Sequence, residues 1–394
     1  MRLKIASRIF EPEPSAASFR LAALASELAS AGHELDVLTV RPPENLAALS
    51  RDDERGYRVR RFPVLRDASG YVRGYLPYLS FDLPLFFRIL LGRRADAIVV
   101  EPPPTTGLFV YLATMLRRTP YVYYAADVWS DAAKLTGAPA FVLRVVAGIE
   151  RLALNGASAV VAVSPEVQFR LAEIGVRSPV VTVGNGIDVS AFSFGSEVPA
   201  DDDSPLFVYG GTIAEWHGAE VFVRAMEIVQ RRYPSARLRF IGGGSEKERL
   251  SKLSRRLGLH DVEFMEPMPP EQLGEWLRSA TASLASVRPG TIYEFAFPTK
   301  LYSSTAAGVP LIFSGGGPAV EFVRTEIDGE PLGEACPFSA DKVAEAMIRA
   351  IESPLDPERR DLVSRWGHRN VGLEGVAERI RQEVERVVGA RANH

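Results

Sequence analysis

The chain has 394 residues, too many for one small module and enough for two or three domains that each bury a core. Hydrophobic residues make up 46% and charged residues 24%, which excludes global disorder and a low-complexity or collagen-like chain. Lys and Arg number 46 against 49 Asp and Glu, so no bulk positive field recruits nucleic acid, and the lone Cys336 cannot form an intramolecular disulfide, which suits a cytoplasmic protein.

Leu3 to Ile9 reads as a first strand, and the charges at Arg8, Glu11 and Glu13 leave this start too short for a signal peptide. From Ser18, the positions Phe19, Leu21, Ala22, Leu24, Leu28 and Ala29 have helical period, and Gly32 sits where a left-handed cap ends a helix. Glu34 to Val40 reads as the next strand. Short apolar runs recur at Ala97 to Val100, Tyr121 to Tyr124, Ala159 to Val163 and Val180 to Val183. Strand-length runs alternating with amphipathic stretches are the pattern of βαβ units on a parallel sheet. The longest apolar run, Leu83 to Leu91, contains Arg88 and is too short to span a bilayer.

Ser, Gly and Pro with the acidic run Asp201-Asp202-Asp203 interrupt this rhythm and predict a linker over 191–204. A second alternation follows, with strands at Leu206 to Tyr209, Arg237 to Ile241, Val262 to Phe264, Ala282 to Ala285 and Pro310 to Phe313. The expected organisation is α/β: a Rossmann-like domain over 1–190, the linker, a second Rossmann-like domain over 205–372 facing the first, and a helix over 373–394 that crosses back to the first domain.

In such domains ligands bind beyond the carboxyl ends of the strands, where helix N-termini offer free amides, and a phosphorylated ligand is the default expectation. The segments at those ends are Phe10-Glu-Pro-Glu-Pro-Ser-Ala-Ala-Ser-Phe-Arg20, Gly184-Asn-Gly-Ile-Asp188, Tyr209-Gly-Gly-Thr-Ile-Ala-Glu-Trp-His-Gly218, Ile241-Gly-Gly-Gly-Ser245 and Phe297-Pro-Thr-Lys-Leu-Tyr-Ser-Ser-Thr-Ala-Ala-Gly308. Their order and spacing resemble the retaining, nucleotide-sugar-dependent glycosyltransferases of family 4, with the GT-B fold, and within them the O-antigen and colanic-acid branch. The resemblance implies transfer of a sugar from a nucleoside diphosphate, UDP by preference, to a glycan or lipid-linked acceptor in surface-polysaccharide assembly, with no cofactor and no metal.

It also implies roles by position. Asp127, in Tyr124-Ala-Ala-Asp-Val-Trp129, matches the aspartate of an H-D-x-x-P site whose histidine is here Ala126. Lys300, beside the first amides of its helix, and Arg20, on the first turn of the first helix, stabilise the leaving diphosphate. Donor contacts fall on Ser15 and Ala16, on Gly210, Gly211, Thr212 and His217, on Gly243, on Phe264 and Met265, and on Phe297, Pro298, Thr299 and Ser303, with Glu294 taking a sugar hydroxyl. Gly211 stands at the family's arginine position, His217 at its lysine position and Ser303 at its ribose-binding glutamate. These departures leave a second reading open, a catalytically silent GT-B protein acting as a partner or regulatory subunit; a GT-B sugar-nucleotide epimerase is a third, which needs acid/base side chains that Ala126 and Ser303 do not supply. The D-D-D run invites a metal reading, but a linker position argues for plain solvation.

Residues 55–94 hold Arg55, Arg58, Arg60, Arg61, Arg66, Arg73, Arg88, Arg93 and Arg94 against only Asp67 and Asp82, with eight aromatics interleaved. Arginine beside tyrosine and phenylalanine suits anionic headgroups, which predicts peripheral binding at the inner face of the cell membrane; a buried intradomain helical hairpin and a nucleic-acid surface compete with it.

Overall fold

The computed structural model describes residues 1–13, 15–48, 50, 52, 56–67, 72, 74–134, 139–194, 204–290 and 297–392. The chain divides into two units, Met1–Gly186 with Leu373–His394, and Ile187–Gly372. That boundary precedes the expected one at 190. Residues 187–194 belong to the second unit and are not linker: Phe192, in the 3-10 turn Ser190–Phe192, is buried with Leu206 and Leu277 in that unit's core. Asp201, Asp202 and Asp203 lie outside the described residues.

The first unit carries seven parallel strands: β1 (Arg2–Ala6), β2 (Glu34–Val40), β3 (Arg58–Phe62), β4 (Ala97–Val100), β5 (Tyr121–Ala125), β6 (Ala159–Ala162) and β7 (Val180–Thr182), in the order β3-β2-β1-β4-β5-β6-β7. The central strands are apolar on both faces because helices cover both. On one face the helices Ala16–Ser30 and Leu373–Ala392 pack together, with Leu21, Leu24 and Leu28 of the first meeting Val376, Ile380 and Val384 of the second. On the other lie the helices Tyr75–Leu91, Pro104–Arg117 and Ala140–Gly156, which bury Phe81, Leu85, Val110 and Leu154.

Strand β3 shows that several arginines of 55–94 have acidic partners. Its sequence Arg-Val-Arg-Arg-Phe is an edge strand, and its arginines meet acids from outside the segment: Arg58 pairs with Asp36 at 2.8 Å, Arg60 with Asp36 at 3.4 Å and Arg61 with Asp52 at 2.6 Å. Arg66 pairs with Glu13 at 3.0 Å and Arg93 with Glu34 at 3.0 Å, while Tyr57 and Phe81 belong to the cores. Arg55, Tyr71 and Arg73 lie outside the described residues.

The second unit has β8 (Leu206–Gly210), β9 (Arg237–Ile241), β10 (Val262–Met265), β11 (Ala282–Ser286), β12 (Leu311–Ser314) and β15 (Gly333–Cys336) in one parallel sheet, ordered β10-β9-β8-β11-β12-β15, plus the hairpin β13 (Glu326–Ile327) and β14 (Glu330–Pro331). The strand order reverses between β8 and β11. At such a switch point the connections leave toward opposite faces and open a crevice at the carboxyl ends of the strands.

Candidate active site

That crevice is a cavity of about 550 Å³ walled by Gly210, Gly211 and Thr212 at the end of β8, Trp216 and His217 in the next turn, and Phe297 to Lys300 with Ser303 after β11. Ile187, Asp188, Phe192 and Leu273 complete it. It gathers eight of the expected donor contacts, which lie up to 93 positions apart in sequence, from Gly210 to Ser303: both glycines, Thr212, His217, Phe297, Pro298, Thr299 and Ser303, together with Lys300.

Lys300 opens the helix Lys300–Ala306. Its Nζ lies 3.3 Å from the centre of the Tyr209 ring and donates to the Thr212 carbonyl at 3.4 Å, and it has no acidic partner among the described residues. Although the residue keeps some exposed surface, its ammonium sits among protein atoms, and burial pushes its pKa well below the ordinary lysine value. A cation over an aromatic face, with no counter-ion, favours an arriving anion. Thr212 and Thr299 line the cavity with Lys300, and the amides of all three hydrogen-bond no other backbone group among the described residues.

Gly211 explains one departure from the family pattern. Its φ of +111° lies in the region that favours glycine, so a side chain there would be strained, although a Cβ would stand at an ordinary contact distance, 3.6 Å, from the Lys300 Cε. Its N–H is spent on the Ile241 carbonyl at 2.8 Å. His217 is buried, and its Nδ1 accepts the Ala214 N–H at 3.3 Å, which leaves the proton of the neutral ring on Nε2. Burial, and then the Lys300 charge, hold its pKa down at about 3. The ring is therefore a neutral hydrogen-bond donor and not a second cation. The Ser303 hydroxyl donates to the Lys300 carbonyl at 3.0 Å, so it is left with acceptor capacity only.

Three expected contacts stand elsewhere in this unit. Gly243 belongs to a turn that clamps two loops: the Ile213 N–H reaches the Gly243 carbonyl at 2.8 Å, and a Cβ on neighbouring Gly244 would fall 2.2 Å from the Ile213 oxygen. The glycine run is thus explained by loop docking. Phe264 stacks on Phe240 at 4.7 Å, and the Met265 carbonyl already accepts from the Gly242 amide and the Lys247 ammonium. None of the three lines the cavity. Glu294 lies outside the described residues.

The first-unit candidates have partners of their own. Arg20 is buried; its guanidinium donates to Glu101 Oε1 at 3.2 Å and to Asn185 Oδ1 at 2.9 Å. This replaces the expected free cation with an internal ion pair, whose carboxylate also accepts the Ser7 hydroxyl. Burial lifts the Glu101 pKa, and Arg20 pulls it back down. Ser15 is the N-cap of the helix Ala16–Ser30, its Oγ accepting the Ser18 N–H at 3.1 Å, and Ala16 is that helix's first, exposed residue. Asp127 follows β5 with its side chain reaching solvent; burial of its carboxyl raises its pKa, against the lowering effect of Arg20.

Sequence reasoning missed Glu150. This buried carboxylate on the helix Ala140–Gly156 accepts the Trp129 and Ser130 amides at 2.6 and 2.9 Å, fixing the loop that carries Asp127. It also missed a polar group beside the carboxyl end of β1, in which Arg8 lies over the Tyr78 ring at 3.8 Å and Asp82 accepts the Thr106 hydroxyl at 2.6 Å. Glu150 is 23 residues from Asp127 and lies on a helix whose pattern reads simply as apolar, so no local signal marks it.

Known proteins carry the same parts. A glycosyl transferase 4-like domain model matches residues 16–186, and a glycosyl transferases group 1 model matches 194–366. The chain is 24% identical over 396 residues to WcaI of Escherichia coli K12, a candidate colanic acid biosynthesis glycosyl transferase, covering 92% of this chain and 93% of that one. It is 24% identical over 191 residues to an uncharacterized glycosyltransferase of Methanocaldococcus jannaschii and 27% over 166 residues to a D-inositol 3-phosphate glycosyltransferase of Kribbella flavida. These two alignments span less than half the length of either relative, 47% and 38%. Among solved structures, Anabaena HepE in complex with UDP superposes with a TM-score of 0.67 at 14% identity, covering 98% of this chain and 99% of that one. A glycosyltransferase of Rickettsia africae does so with a TM-score of 0.68 at 15% identity, covering 98% of each. The chain belongs to the GT-B glycosyltransferases, with a glycosyl transferase 4-like domain followed by a group 1 domain.

Proposed function

We propose that this protein transfers a sugar, with retention, from a UDP-sugar to a glycan or lipid-linked acceptor in surface-polysaccharide assembly. The observation that carries the donor half is Lys300: a cation with no acidic partner among the described residues, in the same cavity as Thr212 and Thr299, at the switch point of the second unit's sheet. A diphosphate supplies the charge and the acceptor oxygens which that arrangement lacks. UDP as the nucleotide is supported by the fold shared with a protein solved in complex with UDP.

As the bond between the anomeric carbon and the diphosphate oxygen breaks, negative charge collects on the leaving group. Lys300 and the neighbouring amides are fixed beforehand to meet it, and a preorganised field of this kind is commonly the largest catalytic contribution. The departing oxygen takes the acceptor hydroxyl's proton as the new glycosidic bond forms on the same face, so no enzyme nucleophile is needed. His217 donates through Nε2–H without adding charge, and Ser303 accepts from a ribose hydroxyl. Arg20, already paired with Glu101 and Asn185, holds the first unit's loops in place.

The test is UDP release from a panel of UDP-sugars, with calorimetric titration of UDP into the full chain. Binding with turnover supports the transferase; binding without turnover on any acceptor supports the silent partner protein that Gly211, Ala126 and Ser303 suggested. Absence of heat with every nucleoside diphosphate refutes both.

A further inference from the structure

Tyr209, the penultimate residue of β8, is fully buried in the second unit's core, its ring 5.3 Å from that of Phe240 and 6.0 Å from that of Phe222. Leucine or phenylalanine fills such a position with no polar atom to satisfy, so a tyrosine there calls for a reason. Its hydroxyl donates to the Thr212 carbonyl at 3.1 Å. The same carbonyl accepts the Lys300 ammonium at 3.4 Å, and that ammonium sits 3.3 Å from the centre of the Tyr209 ring. One tyrosine thus meets Lys300 twice, through its ring face and through the carbonyl that its hydroxyl holds.

The donor count gives this arrangement a direction. An ammonium has three N–H donors and no acceptor. One faces the ring, one reaches the Thr212 carbonyl, and one is left for the cavity that Lys300 lines with Thr212 and Thr299. Neither partner is an anion: burial raises the Tyr209 pKa, so the phenol stays neutral, and the carbonyl carries only a dipole. A carboxylate in their place would cancel the lysine charge, whereas a π-face and a dipole hold the ammonium and leave its charge to a ligand. The ring is itself held, by Phe222 and Phe240 and by His217, which meets it edge-on at 6.4 Å.

This matters because Lys300 stands alone. Among the described wall residues of the cavity it is the one cation, since His217 is neutral above about pH 3. A lysine stem is long and flexible, and ordering it opposes binding. A stem ordered in the folded chain before the ligand arrives loses that freedom on folding and not on binding.

We propose that Tyr209 is the positioning residue of the donor site: its ring and the Thr212 carbonyl that it anchors fix the Lys300 ammonium with one N–H toward the donor's diphosphate. This rests on the reading of Lys300 as the cation that meets that diphosphate.

Calorimetric titration of UDP into the full chain over a pH series tests it, for wild type, Tyr209→Phe and Tyr209→Leu, each with Lys300 and with Lys300→Met. Tyr209→Leu weakens UDP binding by about 10- to 30-fold at neutral pH, as expected for loss of a desolvated cation–π contact. It also moves the alkaline loss of affinity to lower pH by about one unit, because the ring favours the charged ammonium. Asp188 and His217, the other ionisable residues of the described wall, are the same in every variant. Tyr209→Phe keeps the ring and stays within about fivefold of wild type. With Lys300→Met in place, Tyr209→Leu changes UDP affinity by less than about twofold. That coupling separates positioning from packing, since the smaller core residue lowers the unfolding temperature in both backgrounds alike.

The proposal is overturned if Tyr209→Leu binds UDP like wild type at every pH, if it weakens binding equally beside Lys300→Met, or if Tyr209→Phe is as damaging as Tyr209→Leu. A wild-type chain that takes up no UDP refutes the donor reading instead. Ionisation of Lys300 without ligand, followed as acylation of its amine against pH by peptide mass spectrometry, then decides the matter. A lower midpoint in Tyr209→Leu than in Tyr209→Phe supports the positioning role, and equal midpoints overturn it.

Discussion

Replacing Lys300 by alanine tests the chemistry at its most exposed point. The side chain contributes one ammonium to a cavity whose other ionisable wall residues, among those described, are Asp188 and His217, and His217 is neutral with its pKa at about 3. Removing one preorganised charge-assisted contact to a developing oxyanion typically costs about 2.7 to 4 kcal/mol, or about 100- to 1000-fold in turnover. Lys300→Ala is therefore expected to lower kcat by about that factor, and Lys300→Arg to restore only part of it, since a planar guanidinium does not reproduce the point charge that sits 3.3 Å over the Tyr209 ring. Stability should move the other way. The folded-state pKa of Lys300 is lowered, so the unfolded chain binds the proton more tightly; below the folded-state pKa the residue costs stability, and that cost vanishes as pH rises toward the unfolded value. Lys300→Met is expected to raise the unfolding midpoint at neutral pH while weakening UDP binding. Wild-type UDP affinity should fall as pH rises through the lowered lysine pKa, a dependence absent from the methionine variant. Initial-rate kinetics of UDP release, urea melts and calorimetry over a pH series measure all three. A Lys300→Ala enzyme within threefold of wild type in kcat refutes the assignment and moves diphosphate stabilisation to the backbone amides.

His217→Ala should cost less than about tenfold in kcat, and no ionisation near pH 6.5 assignable to His217 should appear in the rate profile, because the ring stays neutral from about pH 3 upward; a profile inflection near pH 6.5 that the substitution removes contradicts this. Between pH 6.5 and about 3 the unfolded chain takes a proton on this histidine that the folded chain refuses, so His217→Gln should flatten the acid-side loss of stability in urea melts. Arg20→Ala leaves Glu101 buried and unpaired, and should destabilise the chain by about 3 to 5 kcal/mol with UDP affinity unchanged, whereas Arg20→Met with Glu101→Leu should recover most of that loss; unchanged stability with weakened UDP binding would return Arg20 to the donor site. Glu150→Ala strips the acceptor from two amides of the Asp127 loop, an expected loss of about 1 to 3 kcal/mol, and turnover should fall with UDP affinity intact; equal losses in both would count against a positioning role.

Much of the architecture was legible because it is written locally. Parallel strands buried on both faces must be short apolar runs, and the helices between them must show a 3.6-residue stripe, so Glu34–Val40 and Ala97–Val100 appear at the same bounds in sequence and structure. The segments at Gly210 and Phe297 could be placed at strand ends by their glycines and proline, and the cavity lies between them. Strand β3 escaped notice because three arginines in five residues contradict an apolar run; as an edge strand it needs only one neighbour, and its charges are answered by acids on β2 and in the loop at Asp52.

What only the tertiary structure decided is which charges have partners. Arg20 is 81 residues from Glu101 and 165 from Asn185, and Glu150 is 20 and 21 residues from the amides it holds. A sequence records that a residue is charged, while the energy of that charge depends on counter-ions and solvent within a few ångströms, a distance unrelated to chain separation. Hence several arginines of 55–94 meet Asp36, Asp52, Glu13 and Glu34 from elsewhere in the fold, whereas Lys300, one cation among many in the sequence, is left by the same packing over an aromatic ring with no acidic partner among the described residues.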